Sequence, residues 1–242
     1  MAVSWIAEAR STNTLMASSP EPYAHGDVLA AHTQTAGRGQ RGNSWEAEPG
    51  KNLTFSLMLR PRGLHAADAF HLSMAVSVGI VRALRGLLGM EVLLKWPNDI
   101  YVGDRKLVGI LIENTLSGPY VAQAVVGVGL NVNQMEFTSP APNPVSMAQL
   151  AGHEFDLGDT LEAVVGSIVD EYDAYERSRD LAGLHAQYQS WLWRREGVWP
   201  WRDNLTGETL HAAIQSVAPT GHLTLDTAPP RTYAFKEVSF LV

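Results

Sequence analysis

Between Val92 and Val132 the chain makes three extended runs, Val92–Lys95, Lys106–Glu113 and Val121–Val132, with only short connections between them. Parallel neighbours need a crossover of a dozen or more residues, usually a helix, and there is no room for one here. These strands therefore predict a largely antiparallel or mixed sheet rather than a string of strand–helix–strand units. Pro97 stops regular pairing just after Lys95, and Gly103-Asp104 marks a turn. Upstream, Asn52–Leu59 alternates strictly, with Leu53, Phe55, Leu57 and Leu59 on one face, and Val28–Ala31 is a short apolar run. Both read as strands.

Helical periodicity fills much of the rest. Phe70, Met74, Val78, Val81 and Leu84 recur at helical spacing from Asp68 to Leu88, with Gly86 and Gly89 bracketing the end. Asp159 with Glu162 resembles a capping box opening a helix whose face carries Leu161, Val164, Val165, Ile168, Val169, Tyr172 and Tyr175. A further helix is expected from Leu181 to Trp193. Beyond Arg195 the pattern becomes Val198–Trp201, Leu210–Val217, Leu223–Leu225 and Tyr233–Phe240, short β runs between turn signals. The expectation is an α+β chain: residues 1–193 form a mixed β-sheet flanked by helices, and 194–242 form a small appended β-barrel.

Composition narrows the function classes. The 25 acidic and 18 basic residues give a net charge of −7, which argues against broad nucleic-acid or membrane-surface binding. With no cysteine there is no disulfide framework, thiolate nucleophile or cysteine-ligated metal. The eight histidines lack H-x-x-x-H spacing. The start has neither a basic n-region nor an apolar h-region, and the uncharged run Ala69–Val81 is too short for a membrane span. A cytoplasmic protein is the expectation.

Against this acidic background stands Ala31–Trp45, where Gly37, Gly39 and Gly42 alternate with Arg38 and Arg41 and no acidic residue intervenes. Glycines let backbone N–H groups approach a ligand, and arginines supply fixed positive charge, so the stretch reads as an anion-binding loop. It literally matches G-x-G-x-x-G, but a dinucleotide cradle needs a helix to begin at the loop, and Asn43–Gly50 is poor helix material. No Walker A sequence, nucleophile elbow or kinase motif accompanies it. Ser11-Thr12-Asn13-Thr14 suits a helix N-cap, and the same hydroxyls and amide could instead face a ligand. Lys95 sits at a strand end before Trp96-Pro97; Asn98 and Asp99 read equally well as turn formers.

Taken together, Ser11-Thr12-Asn13, Gly37-Arg38-Gly39-Gln40-Arg41-Gly42 with Trp45, Lys95-Trp96-Pro97-Asn98-Asp99, Lys106–Glu113 and Gly127-Val128-Gly129-Leu130-Asn131 closely resemble the biotin protein ligases in order and interval. The resemblance implies a fold like that of the class II synthetases and biotin–lipoate ligases, with a small C-terminal SH3-like domain. It implies that ATP and biotin, with Mg²⁺, form biotinyl-5′-AMP and pyrophosphate. The biotinyl group then passes to one lysine of a biotin carboxyl carrier protein or carrier domain.

By similarity, Ser11, Thr12, Asn13, Gln34, Arg38, Gly39, Gln40, Lys95 and Gly109 would serve biotin. Arg38, Arg41, Trp45 and Asn131 would serve ATP and the adenylate, with Lys95 and Arg38 closest to the chemistry. No metal ligand is singled out. Some family members carry an arginine at the position of Gln40 and a basic residue at that of Asn43, so weaker retention of the adenylate is expected here. The motifs begin at residue 11, which leads to the expectation of a short form without a DNA-binding segment. Exposed edge strands in the main sheet leave room for a homodimer. A lipoate–protein ligase and a non-catalytic binding module are the competing readings.

Overall fold

The computed structural model describes residues 1–39, 44–138 and 143–241. Its centre is a seven-stranded sheet in the order β1-β2-β3-β7-β6-β5-β4. The strands are β1 (Val3–Ala9), β2 (Val28–Gln34), β3 (Leu53–Leu59), β4 (Leu93–Lys95), β5 (Asp99–Val102), β6 (Arg105–Ser117) and β7 (Tyr120–Leu130). Only β1 and β2 pair in parallel, and α1 (Thr12–Ser18) makes their crossover. Every other pair is antiparallel, as short connections require. The mixed sheet expected from the sequence is the one observed.

One face of the sheet is covered by the main core and the other only in part. Leu53, Phe55, Leu57 and Leu59 of β3 join Val126, Val128 and Leu130 of β7 in the main core, packed beneath α2 (Phe70–Leu88) and α4 (Leu157–Ser178). The two helices approach so closely that a Cβ on Gly79 would stand 2.7 Å from Cα of Ile168, and Ser167 Oγ donates to Gly79 O at 2.8 Å. On the opposite face Met58 and Val125 meet Met16 of α1 and Leu29 of β2 in a small second cluster. Ala66–Leu88 is long and apolar enough to cross a membrane, more than its uncharged run suggested, but 61% of its most apolar window is buried against the rest of the chain.

Several element ends differ from expectation for identifiable reasons. Helix α2 runs through Gly86 and stops at Gly89, whose left-handed φ of 63° suits glycine. The cap of α4 is Asp156, whose carboxylate accepts from Asp159 N at 2.9 Å; Asp159 lies inside the first turn. After α3 (Met147–Ala151) and α4, helix α5 (Leu181–Ser190) ends three residues early. The segment 191–193 turns aside to pair with β4: Leu94 N donates to Trp191 O at 2.8 Å and Trp193 N to Leu94 O at 2.7 Å. One of the two edges expected to be open is thereby covered, leaving β1 at the other.

The C-terminal part contains two three-stranded antiparallel sheets, β13-β8-β9 and β10-β11-β12. The run expected over Leu210–Val217 breaks at Ala213 into β9 (Thr209–Ala212) and β10 (Ile214–Val217), one in each sheet. Likewise Tyr233–Phe240 divides into β12 (Arg231–Tyr233) and β13 (Val238–Phe240); β8 spans Trp199–Asp203 and β11 Leu223–Leu225. Trp201, Val217, Leu223 and Val238 belong to the same continuous core as the central sheet. Trp96 Nε1 also donates to Gly221 O at 2.9 Å, tying the β4–β5 hairpin to this region.

Candidate active site

The register of β3, β7 and β6 builds a floor from small residues. Thr54 and Ser56 of β3 lie opposite Gly129 and Gly127 of β7, which in turn face Gly109 and Leu111 of β6. These positions share the face that carries Met58 and Val125, opposite the main core, because side chains alternate along a strand. Three glycines leave room above the sheet, and two side chains use it. The Trp45 indole lies over Gly109 and Gly129, and Asn13 lies over Gly127, where a Cβ would stand 2.3 Å from Asn13 Oδ1. A cavity of about 680 Å³ opens above this floor.

Part of the cavity is lined by neutral polar side chains. Ser11 caps α1 by accepting from Thr14 N at 3.4 Å, so the capping reading holds for Ser11. That cap turns Thr12 and Asn13 onto the floor, and all three residues line the cavity. Thr12 N donates to Gln34 Oε1 at 2.7 Å, while the fully buried Ser56 hydroxyl lies 2.8 Å from Thr12 Oγ1 and 2.5 Å from Asn13 Oδ1. Asn13 Nδ2 donates to Leu111 O at 3.2 Å and Glu113 Oε2 at 3.1 Å. These bonds fix side chains that would otherwise rotate, giving a preorganised set of donors and acceptors.

Cations line the rest of the cavity, beginning beside Asn13, with which Arg38 shares Glu113 Oε2. Arg38 makes a two-point contact with Glu113, Nη2 to Oε1 at 2.8 Å and Nη1 to Oε2 at 3.2 Å. Arg38 and Ser44 form an isolated antiparallel bridge, and Trp45 N donates to Gly37 O at 3.0 Å. Lys95 opposes Asp99 across the β4–β5 hairpin and donates to Tyr101 Oη at 2.7 Å. Burial among Tyr101, Trp193 and Phe240 pushes the Lys95 ammonium down to about 8; Asp99 opposes that shift, and Lys106 and Arg194 add to it. Lys106 forms an ion pair with Asp99 at 2.7 Å, and its Nζ lies 5.7 Å from the Trp45 ring centroid.

Of the residues named from the sequence, Ser11, Thr12, Asn13, Gln34, Arg38, Gly39, Trp45, Lys95 and Gly109 all line this one cavity. Gln40 and Arg41, with Asn43, lie outside the described residues. Asn131 is not on the lining: it is buried just after the end of β7, and its Nδ2 donates to Val145 O at 3.1 Å. Lys106, Asp99 and Tyr101 reach the cavity without having been singled out. Their signal lay in the hairpin itself, since Lys106 and Asp99 flank a turn that returns them to one place. Phe235 and Lys236 of the β12–β13 turn and Ser239 and Phe240 of β13 also line it, and no local pattern could have indicated that.

The model of the biotin/lipoate A/B protein ligase family matches residues 5–131, more than half of the chain. The chain belongs to that family. The floor, the neutral polar side chains and the cationic hairpin all fall within the matched stretch. Among family members, a biotin–[acetyl-CoA-carboxylase] ligase of Paracoccus denitrificans is 31% identical over 172 residues, 69% of each chain. The bifunctional ligase/repressor BirA of Escherichia coli is 40% identical over 122 residues, half of this chain and 38% of its own length. The chain spans about half or less of the length of the bifunctional ligase/repressors it matches. The fold extends over the whole molecule: a biotin protein ligase from Aquifex aeolicus, in complex with biotin and ATP, superposes with a TM-score of 0.82 at 22% identity, covering 98% of this chain and 97% of that one.

Proposed function

We propose that this family member is a biotin protein ligase that activates biotin with ATP and passes it to a lysine of a biotin carboxyl carrier protein or carrier domain. The observation that carries the reading is a single cavity lined both by neutral hydrogen-bonding side chains (Ser11, Thr12, Asn13, Gln34) and by the cations Arg38, Lys95 and Lys106. A ureido ring both donates and accepts hydrogen bonds, which suits Ser11, Thr12, Asn13 and Gln34. Gln34 Oε1 is engaged by Thr12 N, which leaves its Nε2 to donate. A carboxylate and a phosphate suit the cations that follow. The names of the Paracoccus and Aquifex relatives support biotin over lipoate.

In this reading the substrates supply both nucleophiles. A biotin carboxylate oxygen attacks the α-phosphorus of ATP and pyrophosphate leaves. The carrier's ε-amine then attacks the acyl carbon, AMP leaves, and the amine loses its proton. The protein's contribution is positioning and charge stabilisation. Lys95, Lys106 and Arg38 offset the charge that develops at phosphorus, and the Trp45 indole offers a flat face for adenine. The Trp45 Nε1 is buried against Gly129 and has no hydrogen-bond partner among the described residues. No cluster of three or more metal-ligating side chains occurs among the described residues, and Asp99 is the carboxylate on the cavity lining. That fits Mg²⁺, which binds through one or two carboxylates plus substrate phosphates and would screen their charge.

Pyrophosphate exchange into ATP tests the proposal when run with biotin, with lipoate and with neither. Biotin-dependent exchange supports it. Lipoate-dependent exchange moves the assignment to a lipoate ligase, and absence of exchange leaves a binding module.

A further inference from the structure

The described cations on the cavity lining are Arg38, Lys95, Lys106 and Lys236. Arg38 is held by Glu113, Lys106 by Asp99, and Lys95 by the Tyr101 hydroxyl. Lys236 is different. It comes from the turn between β12 and β13, and it has no acidic partner within ion-pair distance among the described residues. Its Nζ lies 5.9 Å from the ring centroid of Phe235, which in turn packs edge-on against Trp96 of the Lys95–Asp99 hairpin at 6.2 Å.

Of the four described non-glycine residues with positive φ, Asn143, Arg179, Arg194 and Lys236, only Lys236 lines the cavity. Lys236 has a φ of 70°, in the left-handed region that favours glycine and that a long side chain seldom occupies. The surroundings hold it there. Asn204 Nδ2 donates to Lys236 O at 2.8 Å, Asn204 N donates to Glu237 O at 2.8 Å, and Ala234 N donates to the Glu237 carboxylate at 2.7 Å. These bonds fix the turn and so the direction from which the Lys236 side chain enters the cavity lining.

We propose that Lys236 binds the β- and γ-phosphates of ATP and stabilises them as departing pyrophosphate. This rests on the adenylation reading and adds to it a residue from the C-terminal sheets. Arg38 and Lys106 must loosen an ion pair to meet a phosphate, whereas Lys236 need not. Negative charge accumulates on the pyrophosphate as its bond to the α-phosphorus breaks, and a cation placed there acts on the first half-reaction only. The second half-reaction involves no pyrophosphate and is indifferent to Lys236.

The test uses the full chain carrying Lys236→Gly, a substitution suited to a φ of 70° and therefore compatible with the fold. The expected result is a rise of about tenfold in the KM for ATP and for pyrophosphate in exchange, the loss of one charge-assisted contact. Biotin affinity and single-turnover transfer from purified biotinyl-adenylate stay at wild-type values. An unchanged ATP KM, or an effect confined to the KM for the carrier protein, overturns the proposal; the latter would make Lys236 part of the carrier-docking surface. If wild-type protein shows no biotin-dependent exchange, the adenylation reading fails by itself. Calorimetric titration with inorganic pyrophosphate then decides Lys236 separately: weaker binding by the variant supports the site, and equal binding overturns it.

Discussion

Gly129 and Trp45 are fitted to each other: a Cβ on Gly129 would stand 2.3 Å from Cε2 of the indole. The backbone at 129 is ordinary extended strand, paired to Thr54 on one side and Gly109 on the other, so alanine is compatible with the sheet. What alanine cannot share is the space. Gly129→Ala is expected to lift the indole off the floor and raise the ATP KM by about tenfold, a cost typical of over-packing by one methyl. Exchange kinetics beside a thermal melt check this: a large fall in melting temperature with an unchanged KM would mean that the fit is structural only.

Lys95 predicts a pH dependence. Its ammonium is lowered to about 8 by burial, so charge useful at a phosphate is present below that value and lost as pH rises through it. For the free enzyme, kcat/KM for ATP should therefore fall above about pH 8. Lys95→Arg, which keeps its charge across the range, should lack that limb even if its rate is lower. The effect on stability has the opposite sign. Between about 8 and the ordinary 10.5 the unfolded chain holds more protons at this site, so the penalty for burying the ammonium fades as pH rises.

The Arg38–Glu113 pair is partly exposed, with side chains 47% and 32% accessible, and contributes little to stability by itself, roughly 0–1 kcal/mol. Its consequence is for ligands. Glu113→Gln keeps an oxygen for Asn13 while removing the charge that occupies Arg38. Separate calorimetric titrations should show severalfold tighter ATP binding and unchanged biotin binding. Weaker ATP binding instead would mean that Glu113 orients Arg38 rather than competing for it.

Gly86 offers a control away from the site. It lies within α2, and an added Cβ there meets nothing within 4 Å. Gly86→Ala should stabilise the chain by about 0.4–1 kcal/mol, mainly by restricting the unfolded state. Urea denaturation measures this, and exchange activity should not change.

Gln40 lies outside the described residues, and the prediction for it comes from the sequence alone. Gln40→Arg adds a fixed cation to the glycine loop and should slow dissociation of the adenylate. A stopped-flow chase with unlabelled ligand would show an unaltered rate if the reasoning is wrong.

The strands and long helices were legible because each keeps its own periodicity: alternation over Asn52–Leu59, helical spacing from Phe70 to Leu84. The neutral polar lining of the site was legible for a related reason. Ser11 caps a helix, and one turn of that helix necessarily carries Thr12 and Asn13 together. Segments whose partners lie far away were less readable. Trp191–Trp193 looked like the end of a helix but pairs with β4, and the bond from Asn131 to Val145 O has no signal in the sequence.

By itself the sequence determined an α+β chain with a mixed sheet, a glycine- and arginine-bearing loop, and a motif order that resembles one ligase family. Each follows from spacing along the chain, which local geometry converts into faces and turns. Only the tertiary structure decided that Gly109, Gly127 and Gly129 form one floor, that Lys106 and Asp99 pair beside Lys95, and that Phe235, Lys236 and Phe240 close the cavity from the far end of the chain. Strand register and long-range packing bring these groups together, and neither is encoded by any short stretch of residues.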